Sequence, residues 1–325
     1  MSVPFDAVLL VAFGGPQGPA DVRPFLENVL SGRRVSPERI DEVARHYERF
    51  GGVSPLTALT LAQGLALEET LAARGLPLPV HVGMRNWHPY LTDTLAEMSR
   101  AGIRRAIGVL AAAQRSYSGC AQYRENVRDA RIALGETGVA SPGITYVGDW
   151  HEHPGFIEAN ADHVRQAFDR LPAEHRAGTR LIFTAHSIPA SMAESYPYEA
   201  QLLSSAEAIA EAAAQPDWAV VYQSRSGRPG DPWLEPDICE YLRKERAKGL
   251  SAAVLCPVGF LCDHVEVLYD LDVEAADTCR EIGVVMERAE AVNTHPRFID
   301  ALADSVLDVW ATYSEGRPLS IVSSA

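Results

Sequence analysis

His186 closes the stretch Phe183-Thr184-Ala185-His186-Ser187-Ile188-Pro189, where an apolar run ends on an imidazole. At the carboxyl end of a strand such a ring faces the crevice in which open α/β sheets bind ligands. There it can take a proton near neutral pH or ligate a metal ion. Alone it has a plainer reading, a local hydrogen bond at a strand terminus. A serine follows it, but no GxSxG turn is present, so acyl transfer is not indicated. The second segment, Pro257-Val258-Gly259-Phe260-Leu261-Cys262-Asp263-His264-Val265-Glu266-Val267-Leu268-Tyr269-Asp270-Leu271-Asp272-Val273-Glu274, is richer. Glu266, Asp270 and Glu274 recur every four residues, which stacks three carboxylates on one helix face. Like charges at that spacing repel, so a helix built only for stability avoids them. One reading is a solvated acidic face near the positive end of the helix dipole. The other is a ladder of oxygen ligands leading to a buried site, since carboxylates pass hard and borderline cations along. The glycine and aspartate spacing of an EF-hand is missing. His186 and Glu266 both follow strands, and facing one another across a crevice they could accept protons and hold a divalent metal.

The elements that must position these groups alternate along the chain. Apolar, β-branched runs predict strands over Ala7 to Phe13, Pro79 to Gly83, Arg105 to Leu110 and Ile144 to Gly148. A second set follows over Arg180 to His186, Trp218 to Tyr222, Ala252 to Pro257 and Gly283 to Met286. Their near-continuous hydrophobicity, with helical patterns between, is that of parallel strands covered on both faces. The fold class is therefore α/β, two doubly wound Rossmann-like halves with parallel four-stranded sheets and a cleft between them. The first half covers residues 1–150 and the second, carrying the metal site, 151–294. A last helix, 295–314, crosses back to the first half. It starts near Thr294 with Pro296 in its first turn, and Phe298, Leu302, Val306 and Trp310 make one apolar face. The glycine-rich turn after the first strand, Phe13-Gly14-Gly15-Pro16-Gln17-Gly18, could cradle phosphate. Neither GxGxxG nor GxxxxGK[ST] is present, so it reads as a tight strand-to-helix turn.

Length and composition bound the function. The 325 residues (35.3 kDa) suggest two domains at about 150 residues each. With 47% hydrophobic and 22% charged residues, a wholly disordered chain is excluded. A net charge of −14 and no basic stripe exclude a nucleic-acid partner. No apolar run reaches the roughly 18 residues of a membrane helix, so no stable membrane insertion is expected. The first fifteen residues lack a basic start and a cleavage site, which argues against a signal peptide and for the cytoplasm. Five scattered cysteines without a CxxC pair fit reduced thiols in that compartment.

Five segments, VAFGGP, HYERFGGVSPL, AHSIP, DPWLEPD and PVGFLCDHVEVLYDLDVEA, together resemble the ferrochelatases. The similarity is to the water-soluble bacterial branch acting on coproporphyrin III and runs from Leu9 to about Ala303. It implies two Rossmann-like halves around a porphyrin cleft, and insertion of Fe²⁺ into coproporphyrin III to give Fe-coproporphyrin in heme biosynthesis. It makes His186 and Glu266 the pair that binds metal and accepts pyrrole protons, with Asp270 and Glu274 an outer acidic path. Ser54 and Tyr123 match positions that touch the porphyrin. Tyr47 lies in an Arg-Tyr pair whose arginine is His46 here. Phe13 stands where the best-known members place an iron-ligating tyrosine, and phenyl cannot ligate. Leu30 replaces a propionate-contacting arginine, leaving Arg33, Arg34, Arg45 and Arg49 as nearby candidates. Trp87, Tyr123 and Trp233 are candidates for the cleft wall, with core filling as the alternative.

The implied partners are coproporphyrin III and Fe²⁺, with transient contact to the next enzyme of the heme pathway. No cofactor is expected beyond substrate Fe²⁺. A [2Fe–2S] cluster of the kind held by C-terminal cysteines is not expected, because the tail RPLSIVSSA has none. Coproporphyrin carries four propionates, whereas protoporphyrin carries two and partitions into membranes. The polar stretch Gln17 to Glu27 offers no apolar lip, which favours coproporphyrin. The alternatives are a protoporphyrin IX ferrochelatase, a cobalt chelatase of another tetrapyrrole, and a non-catalytic tetrapyrrole or iron carrier.

Overall fold

A computed structural model describes residues 4–31, 36–226 and 230–315; Arg33, Arg34 and the tail RPLSIVSSA lie outside the described residues. Each apolar run becomes a strand: β1 (Ala7–Ala12), β2 (Val80–Met84), β3 (Arg105–Leu110), β4 (Gly143–Tyr146), β5 (Thr179–His186), β6 (Trp218–Gln223), β7 (Ala252–Cys256) and β8 (Val285–Arg288). The helices of the first half are α1 (Pro19–Val29), α2 (Pro37–Arg49), α3 (Pro55–Ala73), α4 (Leu91–Arg100) and α5 (Gln122–Glu136). Then come α6 (Pro154–Arg170), α7 (Ala173–Arg176), α8 (Ala190–Ser195), α9 (Tyr198–Ala212), α10 (Ile238–Arg246), α11 (Val265–Tyr269), α12 (Ala276–Ile282) and α13 (Pro296–Ser314).

The strands make two four-stranded sheets of the same order, β2-β1-β3-β4 and β6-β5-β7-β8, with all pairs parallel. Central strands β1 and β7 are buried along their whole length, which is why they read as unbroken apolar runs. The sequence shows no repeat between the halves, so the duplication is one of topology. Strand bounds differ from the sequence reading by a residue or two at most ends, where pairing partners and not side-chain pattern decide the last residue.

A continuous core runs through both halves, including Phe5, Leu67, Phe156, Phe183, Phe298 and Val306. Helix α13 packs on α6, α3 and β3, burying Phe298, Leu302 and Val306. It starts at Pro296, not Thr294, because His295 caps it: His295 Nδ1 accepts the Arg297 N–H at 3.2 Å. A smaller cluster of Val22, Phe25, Leu26, Ala44, Tyr47 and Trp87 on the first half closes over Val265 of α11. Trp87, 9% exposed and edge-on to Phe25, is core filling. Among the described residues no helix is long and apolar enough to cross a membrane.

Candidate active site

The acidic segment is not one α-helix. After the five residues of α11 the chain takes a π-helical stretch, Asp270–Ala275, and returns to α-helix at Ala276. In an α-helix of 3.6 residues per turn a step of four overshoots a full turn by roughly 40°. The wider π turn reverses that drift between Asp270 and Glu274. The expectation of a simple helical ladder is corrected in this respect, and the spacing of four still keeps the carboxylates near one side.

His186 is the last residue of β5, and Glu266 is the second residue of α11. The two meet: His186 Nε2 lies 3.8 Å from Glu266 Oε2, with side chains 35% and 42% exposed. The other ring nitrogen, Nδ1, donates to the Ser187 carbonyl at 2.5 Å. A carbonyl can only accept, so the proton of a neutral ring sits on Nδ1 and the lone pair on Nε2 points toward Glu266. The Tyr198 hydroxyl, donating to the His186 carbonyl at 3.0 Å, fixes the backbone there. Glu266 is held by its helix start: His264 Nδ1 accepts the Glu266 N–H at 3.2 Å, and burial lowers the His264 pKa, keeping it the neutral acceptor a cap requires.

Asp270 lies one helical turn further along the chain. Gln223 Nε2 donates to its Oδ2 at 3.2 Å, and the Ser224 hydroxyl donates to the same oxygen. Burial, opposed by the Ser224 bond and reinforced by the Glu266 and Glu274 charges, pushes its pKa up to about 7. The Glu274 pKa is raised as well, by burial and then by Asp237. Among the described residues no three His, Cys, Asp or Glu side chains converge to enclose an ion. His186 and Glu266 meet as an open pair, unlike the closed four-ligand cage of a structural metal.

An ion-pair network, nearly buried at Arg288 and Asp263, fixes the loop ahead of α11. Arg288 Nη1 donates to Asp263 at 2.7 Å and its Nε to Asp272 at 2.6 Å, while Asn293 Nδ2 donates to Asp263 at 2.7 Å. Gln63, reaching across from α3 in the first half, donates to the Asn293 and Leu261 carbonyls at 2.7 and 3.3 Å. His46 stacks on Tyr269 with ring centroids 3.6 Å apart and planes 10° from parallel, tying α2 to α11. The two halves thus hold α11 from both sides.

The other sequence candidates separate by environment. Phe13 is partly exposed just after β1, with the Arg85 guanidinium 5.6 Å from its ring centroid. Tyr123, 6% exposed in the first turn of α5, faces the same guanidinium at 5.8 Å. A π-helical turn, Tyr117–Ala121, delivers it there. Ser54 is 4% exposed and caps α3, its Oγ accepting from Leu56 N–H. Gly15 lies against it so closely that a Cβ would come within 2.8 Å of the serine Cβ, which explains the second glycine of the turn. Tyr47 is buried against Phe25 with centroids 5.7 Å apart, and burial raises its pKa. Trp233 is half-buried and bridges to Pro189, on the loop that follows His186. Sequence reasoning missed Gln223, Ser224, His264 and Arg85. The first two were findable, since they end and follow β6 at the same carboxyl edge as His186.

Comparison with known proteins gives one coherent result. The family model for ferrochelatase matches residues 5–309. The coproporphyrin III ferrochelatase of Streptomyces coelicolor is 48% identical over 320 residues, covering 94% of this chain and 85% of the relative. A ferrochelatase of Rhodopirellula baltica is 47% identical over 304 residues, covering 93% and 86%. Among solved structures, SirB from Bacillus subtilis with Fe³⁺ aligns with a TM-score of 0.57 at 12% identity, covering 96% of this chain and 97% of that one, a likeness of fold alone.

Proposed function

This chain belongs to the ferrochelatase family, and on that footing we propose that it inserts Fe²⁺ into coproporphyrin III to give Fe-coproporphyrin in heme synthesis. It is an enzyme of metal insertion. The observation that carries the mechanism is the 3.8 Å approach of His186 Nε2 to Glu266, with the lone pair turned toward the carboxylate.

The reaction must pull a macrocycle out of plane, remove two pyrrole protons and bring Fe²⁺ to the exposed nitrogens. Strain in the bound macrocycle is offset by remote binding energy. We assign that binding to Phe13, Ser54, Tyr47, Tyr123 and Trp233. Because Nδ1 of His186 is committed to Ser187, only Nε2 is open, and it cannot hold iron and a pyrrole proton at once. Glu266 complements it, so that one group receives the proton while the other steers the ion. Asp270, half ionised near pH 7, and Glu274 then form the outward path on which protons leave and metal arrives.

The division of the chain follows the same reading: residues 1–150 and 151–294 grip the porphyrin between them, and helix 295–314 joins the first half. The enzyme works in the cytoplasm without inserting in a membrane, handing product to the next enzyme by transient contact. Exposed Arg45 and Arg49 on α2 are the local compensation for four propionates on a chain of net charge −14. The test is turnover without oxygen, following the visible porphyrin bands after Fe²⁺ is added to coproporphyrin III or to protoporphyrin IX. Faster insertion into coproporphyrin supports the reading, and a preference for protoporphyrin overturns the substrate.

A further inference from the structure

A cavity of about 210 Å³ opens beside Ser187, the residue that follows His186. Among the described residues its charged lining is three carboxylates, Glu235, Asp237 and Glu240, against one guanidinium, Arg225. Arg225 donates to the Asp231 carbonyl at 2.7 Å and stands 3.5 Å from Glu235, so the cavity stays negative. Asp237 Oδ1 accepts from the Cys239 and Glu240 amides at the start of α10. Gln223, the last residue of β6, is a further wall and only 1% exposed. Its Nε2 donates to Asp270, while its Oε1 is buried without a hydrogen-bond partner. A buried acceptor left unpaired is costly, and in an acidic cavity it calls for a group that donates hydrogen bonds and carries positive charge. Asp237 also lies close enough to Glu274 for its charge to raise that pKa.

We propose that this cavity docks a hydrated divalent cation, Fe²⁺ in the working enzyme, through its water shell and passes it to Asp270 and Glu274. This rests on the iron-insertion reading and adds an entry site to it. Size agrees: six waters around an octahedral ion, at about 30 Å³ each, occupy about 180 Å³. The donor set agrees as well. Among the described residues no three His, Cys, Asp or Glu side chains converge to ligate an ion directly, so the docked ion keeps its waters. Those waters supply the donor that Gln223 Oε1 lacks, and the carboxylates accept from the rest. Gln223 then joins two steps of the route, with Oε1 serving the docked ion and Nε2 holding Asp270. An ion held through water leaves without breaking a bond to the protein, which suits a site that must hand its ion on.

The experiment titrates the full chain with Mn²⁺ alone, reading bound ion by loss of the paramagnetic resonance signal of free Mn²⁺. In His186→Ala/Glu266→Gln, which removes the open pair, one Mn²⁺ should still bind. Adding Glu235→Gln/Asp237→Asn should weaken that binding at least about tenfold. Asp237→Asn keeps a cap oxygen for α10, so the fold is retained. The charge-matched Glu207→Gln/Glu211→Gln, at two exposed positions on α9, should change binding less than about twofold. Hexaamminecobalt(III), whose ligands do not exchange, can bind only through its outer shell, and it should displace the same Mn²⁺. In the otherwise parental enzyme, Glu235→Gln/Asp237→Asn should lower kcat/KM for Fe²⁺ at least about fivefold, with the porphyrin KM and the kcat at saturating Fe²⁺ within about twofold. Mn²⁺ binding that survives the cavity substitutions, or that hexaamminecobalt(III) does not displace, overturns the proposal. So does an equal loss in the α9 control, or an unchanged Fe²⁺ dependence. Mn²⁺ binding needs no turnover, so a chain that holds Mn²⁺ in the cavity yet inserts iron into neither porphyrin would overturn the iron-insertion reading while upholding the cation site.

Discussion

Replacing Ser224 by alanine removes one of the two side-chain donors that hold the Asp270 carboxylate. A hydrogen bond to a charged group contributes about 1.5–3 kcal/mol, and water and Gln223 recover part of that. A net loss of about 1.4 kcal/mol is one pKa unit. Asp270, pushed up to about 7 in the parent, then titrates near 8. At pH 7 its ionised fraction falls from about one half to about one tenth, so iron-limited kcat/KM should drop about fivefold there. By pH 8.5 the two proteins should differ by less than about 1.5-fold, because both are then mostly ionised. The assay is the anaerobic initial rate at saturating porphyrin and sub-saturating Fe²⁺, from pH 6 to 8.5 at constant ionic strength. A profile that falls by the same factor at every pH, or does not move, refutes the assignment of Asp270 to the metal and proton path.

Two stability measurements follow from the same geometry. The Asp270 pKa is raised from 3.8 to about 7 on folding, so its proton favours the fold fully below about pH 4, and that contribution is lost as pH rises to about 7. Asp270→Asn removes the loss: urea denaturation at pH 8 should show a gain of about 1–3 kcal/mol, discounted for partial exposure, and none at pH 4. A gain at both pH values contradicts a buried, strained carboxylate. Arg288→Met strips the cation from Asp263, where both side chains are nearly buried, and from Asp272. Breaking one side of a buried pair costs about 3–5 kcal/mol, so a loss under about 1 kcal/mol would mean the network does not anchor the loop before α11.

The fold was legible because its strands are covered on both faces: runs such as AVLLVA and AAVLC have no polar alternation to confuse them. The pair His186 and Glu266 was legible for a related reason, since one ends a strand and the other follows a strand of the same half, and parallel sheets gather such positions at one edge. Other features were not. The π-helical turns at Tyr117 and Asp270 carry no distinct side-chain pattern, because a spacing of four residues keeps side chains near one side in α- and π-helical turns alike. Glu266 is aimed by the His264 cap, but a histidine two residues before a carboxylate looks the same in sequence whether it caps, ligates or is exposed. Likewise the replacement of an expected arginine by His46 gave no hint that its ring would stack on Tyr269 from the other half.

The most direct test of the account is single-turnover insertion with His186→Ala, enzyme in excess over coproporphyrin III, following the visible bands as Fe²⁺ is added without oxygen. Porphyrin binding, read first by fluorescence quenching, should stay within about threefold of the parent, while insertion slows by about 10²–10⁴, the range of a lost acid–base or ligating group. Near-parental insertion in a variant that binds porphyrin normally would contradict the central role of the imidazole and its facing glutamate.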